Sequence, residues 1–312
     1  MKIFIIGTGA IGGLLGARFI EAGEEVYFCD IKPSLVEQLL SQGIVVREIN
    51  GQERTFFPKG AYVDPVYLKD PCDIFIFTVK SYATRVAAER AVLSPALSHE
   101  TLILTLQNGL GNPEILENIF GSERLIVGTT AQGATLLEPG VIRHGGTGPT
   151  FIGPWKQENT AIVEPVVDMF NKAGLEAYVR NDVKTLIWEK LLVNVGINAI
   201  TALTGILNEG VYRFKPASEL SRQAVREAVG VAKKLGIPVR DDIEDHVLKV
   251  AQSTGRNRSS MGQDVDRKHR TEIDAINGAI VNLGQEYGIS TPVNWTLVQL
   301  VKTLELGYGA GE

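Results

Sequence analysis

Cysteine and histidine are scarce in this chain of 312 residues. Cys29 and Cys72 lie far apart without CxxC spacing, which argues against a disulfide framework. His99, His144, His246 and His269 form no HxxxH or HxH pair, so the sequence holds no zinc-ligand pattern. Runs of Lys and Arg long enough to follow a phosphate backbone are also missing. The net charge of -5 arises from mixed signs, and nucleic acid is not an expected partner. The acidic pI of about 5.6 gives no pull toward anionic membranes. No apolar stretch is read as approaching the ~18 residues of a membrane span. The opening MKIFIIGTGAIGG has one basic residue, and glycine-rich sequence stands where a signal-cleavage site would fall. These absences predict a cytoplasmic protein with no structural metal and no membrane partner.

What is present is ordinary globular material, 44% hydrophobic and 21% charged. The length passes the ~250–300 residues at which single cores stop growing, so two domains are expected. Residues 2–6 (KIFII) read as a strand, GTGAIGG follows at once, LLGARFIEAG suits a helix, and EVYFCD is a second strand ending at Asp30. PSLVEQLLSQG reads as a helix, and Asn50-Gly51 between β-rich arms signals a tight hairpin. CDIFIFTVK and TLILTLQNGLG are continuous apolar runs, the pattern of strands buried on both faces, and a helix from about Ser81 to Leu93 joins them. LIVGTTAQGA and VIRHGGTGPTFIG read as further strands, the latter as a hairpin. From about residue 182 onward helical periodicity takes over, with helices expected near 183–207, 216–235, 240–254, 266–287 and 292–306. The expected fold is therefore α/β: a mostly parallel sheet in residues 1–181, then an all-helical domain in residues 182–312.

Gly7-Thr8-Gly9-Ala10-Ile11-Gly12 matches GxGxxG between the first strand and its helix, the setting of a Rossmann-type dinucleotide site. The first glycine permits the turn, the second admits a pyrophosphate to the backbone, and the third allows close helix packing. Asp30 closes the second strand about 20 residues on, where an acid accepts from ribose hydroxyls and repels a 2′-phosphate. That favours NADH, whereas Lys32 could neutralise a phosphate. Lys80 and Gln107-Asn108-Gly109 end two expected parallel strands, the edge at which doubly wound sheets bind ligands.

In the second part, WEKLLVNVGINAI sets Lys190, Asn194 and Asn198 four residues apart in an apolar segment. Each i, i+4 step drifts only ~40°, so the three side chains line one face of a helix. A lone lysine there could snorkel to solvent, but an ordered polar stripe with apolar flanks points to a site. Asn257, Ser259, Ser260 and Glu272 follow around an expected loop-to-helix passage, with Asp264 or Asp266 as candidate cap for the next helix. An inward Glu272 could meet the Lys190 ammonium, each offsetting the other's burial.

These segments resemble the ketopantoate reductases (2-dehydropantoate 2-reductases). IIGTGAIGG, TVKSY, QNGLGN, WEKLLVNVGINAITAL, and SSMGQDV with TEIDAINGAI carry the likeness along the whole chain. The resemblance implies an NADPH-binding Rossmann domain and a helical domain enclosing a cleft, where ketopantoate is reduced to pantoate for pantothenate and coenzyme A synthesis. It implies Lys190 as general acid and Glu272 as a second essential group. Asn194, Asn198, Asn257 and Ser260 would bind substrate, Lys80 and Asn108 would lie near nicotinamide and substrate, and Asn208 is a weaker substrate candidate. Two departures stand out: Asp30 precedes any basic residue after the second strand, which keeps NADH open, and Asp266-Arg267-Lys268-His269-Arg270 replaces a Gly-containing segment. Other readings of the same residues are a paralogous reductase of another 2-keto acid, a β-hydroxy acid dehydrogenase, and an NAD(P)-binding sensor without chemistry. A homodimer is compatible with all of them.

Overall fold

The structure, a computed structural model, describes residues 1–156 and 160–309, so the last three residues of the expected second domain fall outside it. The chain divides into two compact units, Met1–Gln107 with Asn112–Val183, and Asn108–Gly111 with Lys184–Glu312.

The first unit runs β1 (Lys2–Ile6), α1 (Ala10–Glu21), β2 (Glu25–Cys29), α2 (Pro33–Ser41), β3 (Ile44–Arg47), β4 (Glu53–Phe56), β5 (Gly60–Tyr62), β6 (Ile74–Phe77), α3 (Thr84–Ala91), β7 (Leu102–Thr105), α4 (Asn112–Phe120), β8 (Leu125–Thr130), β9 (Gly133–Glu138), β10 (Val141–Gly146), β11 (Thr150–Pro154), α5 (Glu164–Lys172) and β12 (Ala177–Val179). Eight strands form one sheet in the order β12-β11-β8-β7-β6-β1-β2-β5. Every neighbouring pair in it is parallel except β8 with β11. Residues Ile3–Ile6 of β1 and Ile74–Phe77 of β6 are buried throughout, as the unbroken apolar runs require. A mostly parallel sheet with helices between its strands is the expected α/β architecture.

A second sheet, β4-β3-β10-β9, lies against the other side of α1. Small residues let the helix fit between the layers. A Cβ on Gly16 would strike Phe28 of the large sheet at 2.2 Å, and one on Gly13 would strike Ile142 of the small sheet at 2.2 Å. The expected Asn50-Gly51 hairpin joins β3 to β4, with Arg47 opposite Glu53 and Gly51 at φ 84°. The expected hairpin within VIRHGGTGPTFIG does not form. VIRHGG (β10) pairs with β9 and β3 in the small sheet, whereas TFIGP (β11) pairs with β8 and β12 in the large one. The Gly-rich link between them crosses from one sheet to the other, which a local reading of glycine as a turn signal does not reveal.

The second unit is helical: α6 (Val183–Thr204, its first residue clustering with the first unit), α7 (Asn208–Arg213), α8 (Lys215–Lys234), α9 (Ile243–Ser253), α10 (Ser260–Asp266), α11 (Asn277–Tyr287) and α12 (Pro292–Leu306). Its core gathers Leu191, Leu192, Val195 and Ile200 of α6 with Ala228 and Val231 of α8, Val247 of α9, and Ile280 and Val301 of α11 and α12. Two expected helices are broken. The one placed at 183–207 stops at Thr204, because Gly205 turns at φ 74° and α7 restarts at Asn208. The one placed at 266–287 is interrupted between Asp266 and Asn277, where Lys268 adopts φ 55° and a bend at Glu272 leads into a turn over residues 273–276. Asp264 and Asp266 lie within α10 rather than capping a following helix, and Ser259 caps α10 by accepting from the Gly262 amide at 3.0 Å. Finally, α6 is long and apolar enough to cross a membrane, contrary to the sequence reading, but 67% of its most apolar window is buried inside the protein. Leu191, Leu192, Val195, Ile197 and Ile200 place it in this unit's core, where an apolar helix is expected.

Candidate active site

In the first unit the glycine-rich loop is shaped by contacts that exclude side chains. Gly7 sits at φ 103°, and a Cβ there would lie 2.6 Å from the Val79 nitrogen. A Cβ on Gly12 would lie 2.2 Å from the Gly7 carbonyl and 2.4 Å from Thr78 Oγ1, whereas one on Gly9 would meet nothing within 4 Å. The backbone at Gly9 is therefore the approachable one. Gly9 is also the N-cap of α1, without a side-chain cap and without an acid in the first turn, so the positive end of the helix is left to a ligand anion. Thr8 Oγ1 is buried with no partner among the described residues, a hydroxyl placed in the same loop. Ala10 and Ile11 open α1, half-buried.

Asp30, just past β2, accepts from the Thr8 amide through Oδ2 and from the Lys32 amide through Oδ1, both at 3.1 Å. The carboxylate is thus fixed beside the loop rather than free to swing aside. These residues fit a dinucleotide: an open backbone, a helix N-terminus, and an anchored acid at the ribose position of the fingerprint. Lys80 is half-buried at the start of the 3-10 turn after β6. That turn is tied to the end of β7 by Gln107, whose Nε2 donates to the Val79 carbonyl and to Thr84 Oγ1, both at 2.7 Å.

The second unit holds the polar stripe. Lys190, Asn194 and Asn198 all lie on α6, the first two half-buried and Asn198 buried. Asn198 Nδ2 donates to Ser260 Oγ at 3.4 Å, and Thr201 Oγ1 donates to Ser259 Oγ at 2.7 Å, so the start of α10 is bonded to the face of α6. Arg258 pins the same loop. It donates to the Thr201 and Ile206 carbonyls at 2.5 and 3.1 Å and makes a two-pronged pair with Asp266. Asn257 is exposed, and its carbonyl accepts from the Asn208 amide at 3.1 Å. Asn208 is buried at the start of α7; its Nδ2 donates to Thr254 Oγ1 while Oδ1 has no partner among the described residues. An orphaned buried acceptor is costly unless a ligand donor meets it.

Glu272 is buried in the turns before α11, not on a helix, and its field acts on the Lys190 ammonium. Burial pulls Lys190 down from the ordinary lysine value to about 8, with Glu272 opposing that fall. Asn108 belongs to this unit, and the adjoining Gly109, at φ 82°, packs on Ala275, whose carbonyl accepts from the Leu110 amide at 2.9 Å. Arg258 was given no role from sequence, and Gln107, expected at the ligand-binding edge with Asn108 and Gly109, instead ties that edge to the turn after β6. Nothing in their local spacing foretells the distant carbonyls they bind.

Residues 3–157 match the model of the ketopantoate reductase PanE/ApbA family, and residues 182–305 match that of its C-terminal domain. The 2-dehydropantoate 2-reductase of Halobacterium salinarum is 35% identical over 97% of this chain and 98% of its own. The chain belongs to the ketopantoate reductase family. Among solved structures, the 2-dehydropantoate 2-reductase of Geobacter metallireducens superposes with a TM-score of 0.89 at 30% identity, over 97% of this chain and 99% of that one. D-mandelate dehydrogenase, in a ternary structure with NADH and anilino(oxo)acetate, superposes with a TM-score of 0.92 at 26% identity, over 99% of both chains. This ketopantoate reductase family member is accordingly a nicotinamide-dependent oxidoreductase acting on a CH–OH group.

Proposed function

We propose that this protein reduces ketopantoate to pantoate, supplying pantothenate and coenzyme A synthesis in the cytoplasm. The first unit is the dinucleotide-binding domain, with Gly7 to Gly12 at the pyrophosphate, Asp30 at the adenosine ribose, and Lys80 near the nicotinamide. The second unit carries the substrate and the acid. When bound, the reduced nicotinamide supplies a hydride from C4 to the C2 ketone carbon. Negative charge then grows on the ketone oxygen, and Lys190 donates a proton to it. Burial makes the ammonium a readier donor than a solvated lysine, and Glu272 keeps it protonated near neutral pH. Asn194, Asn198, Asn257 and Ser260 hydrogen-bond the substrate carboxylate and hydroxyl, Asn208 Oδ1 accepts from a substrate hydroxyl, and Asn108 lies beside the substrate.

The observation that carries this reading is a lysine set on one helix face with two asparagines, its ammonium destabilised by burial and stabilised by Glu272. A sensor that merely held a nucleotide would need the glycine-rich loop but no such pair. A second reading, an NADH-dependent reductase of a different 2-keto acid, is favoured by the anchored Asp30 and by likeness to a D-mandelate dehydrogenase that binds NADH. NADPH is the cofactor by family resemblance; Asp30 favours NADH. Oxidation of each cofactor with ketopantoate and with a panel of branched and aromatic 2-keto acids distinguishes the two readings. Selective turnover of ketopantoate supports the first, and its absence beside turnover of another 2-keto acid supports the second.

A further inference from the structure

A polar residue outside the proposed site joins α6, which carries Lys190, to the start of α11, just after the segment that carries Glu272. Asn277, the first residue of α11, is wholly buried within the helical unit. Packing alone would be served there by leucine. Its Nδ2 instead donates to the Val195 carbonyl of α6 at 3.3 Å and to Asn294 Oδ1 of α12 at 3.0 Å. Asn294 continues the chain of bonds, donating through Nδ2 to the Ala224 carbonyl of α8 at 3.0 Å and to Glu227 Oε2 at 2.8 Å. Glu227 also receives the Val293 and Asn294 amides at the start of α12, at 2.9 and 3.0 Å. Among the described residues Asn277 Oδ1 has no partner, so the amide contributes through its two donated bonds despite an orphaned acceptor.

Val195 stands five residues after Lys190 on α6, and Asn277 stands five residues after Glu272. The Ala275 and Ile276 amides donate to the Glu272 carbonyl at 3.1 and 3.2 Å, so the backbone of Glu272 is bonded to the turn that ends at Asn277 and follows wherever that residue is held. We infer that Asn277 is a positioning residue: by tying the end of the Glu272 turn to the Val195 carbonyl, it fixes the carboxylate in register with the Lys190 ammonium. The inference rests on the proposed role of Lys190 for its catalytic meaning, but not for its test.

The test follows the ammonium itself. The pH dependence of Lys190 acylation by an amine-selective reagent, read by mass spectrometry on the intact ligand-free protein, gives its titration midpoint whichever keto acid the enzyme reduces. The midpoint should lie at about 8 in the parent protein. In Asn277→Leu, loss of register to Glu272 should move it down by about half a unit or more. Simple loosening of the core would admit water and move it up, toward the ordinary lysine value. An unchanged or raised midpoint overturns the inference. Should Asn277→Leu fail to fold, Asn277→Thr, which keeps one donor, decides by the same criterion with a smaller downward shift expected. In a Glu272→Gln background the Asn277 substitution should leave the midpoint where Glu272→Gln alone puts it. A further equal shift there would show that Asn277 does not act through the carboxylate.

Discussion

Replacing Glu272 by glutamine removes the charge that opposes the burial effect on Lys190 while keeping a side chain of nearly the same size. Lys190 stands at about 8 with the carboxylate present. A nearby opposite charge is worth ~1–3 units, and the low end of that range would bring the ammonium to about 7. The protonated fraction at pH 9 would then fall from about 0.09 to about 0.01, a loss of about ninefold in available acid. At pH 6 it would fall only from about 0.99 to about 0.9. The variant should therefore show a deficit in kcat/KM that widens with pH, its alkaline limb displaced downward by about one unit. Any contact of Glu272 with substrate adds a loss that does not depend on the Lys190 proton, so the displacement of the limb isolates the electrostatic part. The assay is steady-state cofactor oxidation with ketopantoate from pH 6 to 9. A limb that stays in place, or moves up, would refute the claim that Glu272 holds the lysine protonated.

Two further outcomes concern the first unit. Gly12→Ala places a methyl 2.2 Å from the Gly7 carbonyl, so the loop must shift, and the cofactor Kd measured by fluorescence titration should rise by about tenfold or more, or about 1.4 kcal/mol. Unchanged affinity would remove this loop from the nucleotide site. Asp30→Ser deletes a carboxylate that two backbone amides hold in place, and should raise the NADPH-to-NADH ratio of kcat/KM by about tenfold, equivalent to removing roughly 1.4 kcal/mol of repulsion. A constant ratio would mean that Asp30 does not face the ribose.

The strand, glycine turn, helix and second strand were legible because their signals are local: an apolar run, three glycines at fixed spacing, an acid after the next run. The face shared by Lys190, Asn194 and Asn198 was legible for a similar reason, since helical period alone aligns residues four apart. Glu272 was singled out by type, but its setting was misread. Ile273, Ile276 and Ile280 mimic a helical stripe, while the break depends on Lys268 turning left-handed and on the Thr271 amide donating to Glu305, far along the chain. Distance in sequence hid the rest as well. VIRHGG and TFIGP separate into two sheets through pairings with β3 and β8, and Asn108–Gly111 clusters with the helical unit through contacts such as Gly109 on Ala275. Residues such as Arg258, which binds carbonyls more than fifty positions away, leave no periodic mark.

The central claim is that the Lys190 ammonium delivers the proton to the reduced ketone. It is tested most directly by single-turnover reduction of ketopantoate by Lys190→Ala under saturating cofactor, with cofactor Kd measured on the same preparation. The rate should fall by about 10²–10⁴, the worth of a positioned general acid, with cofactor affinity essentially unaltered. A near-normal rate in the folded variant would contradict it.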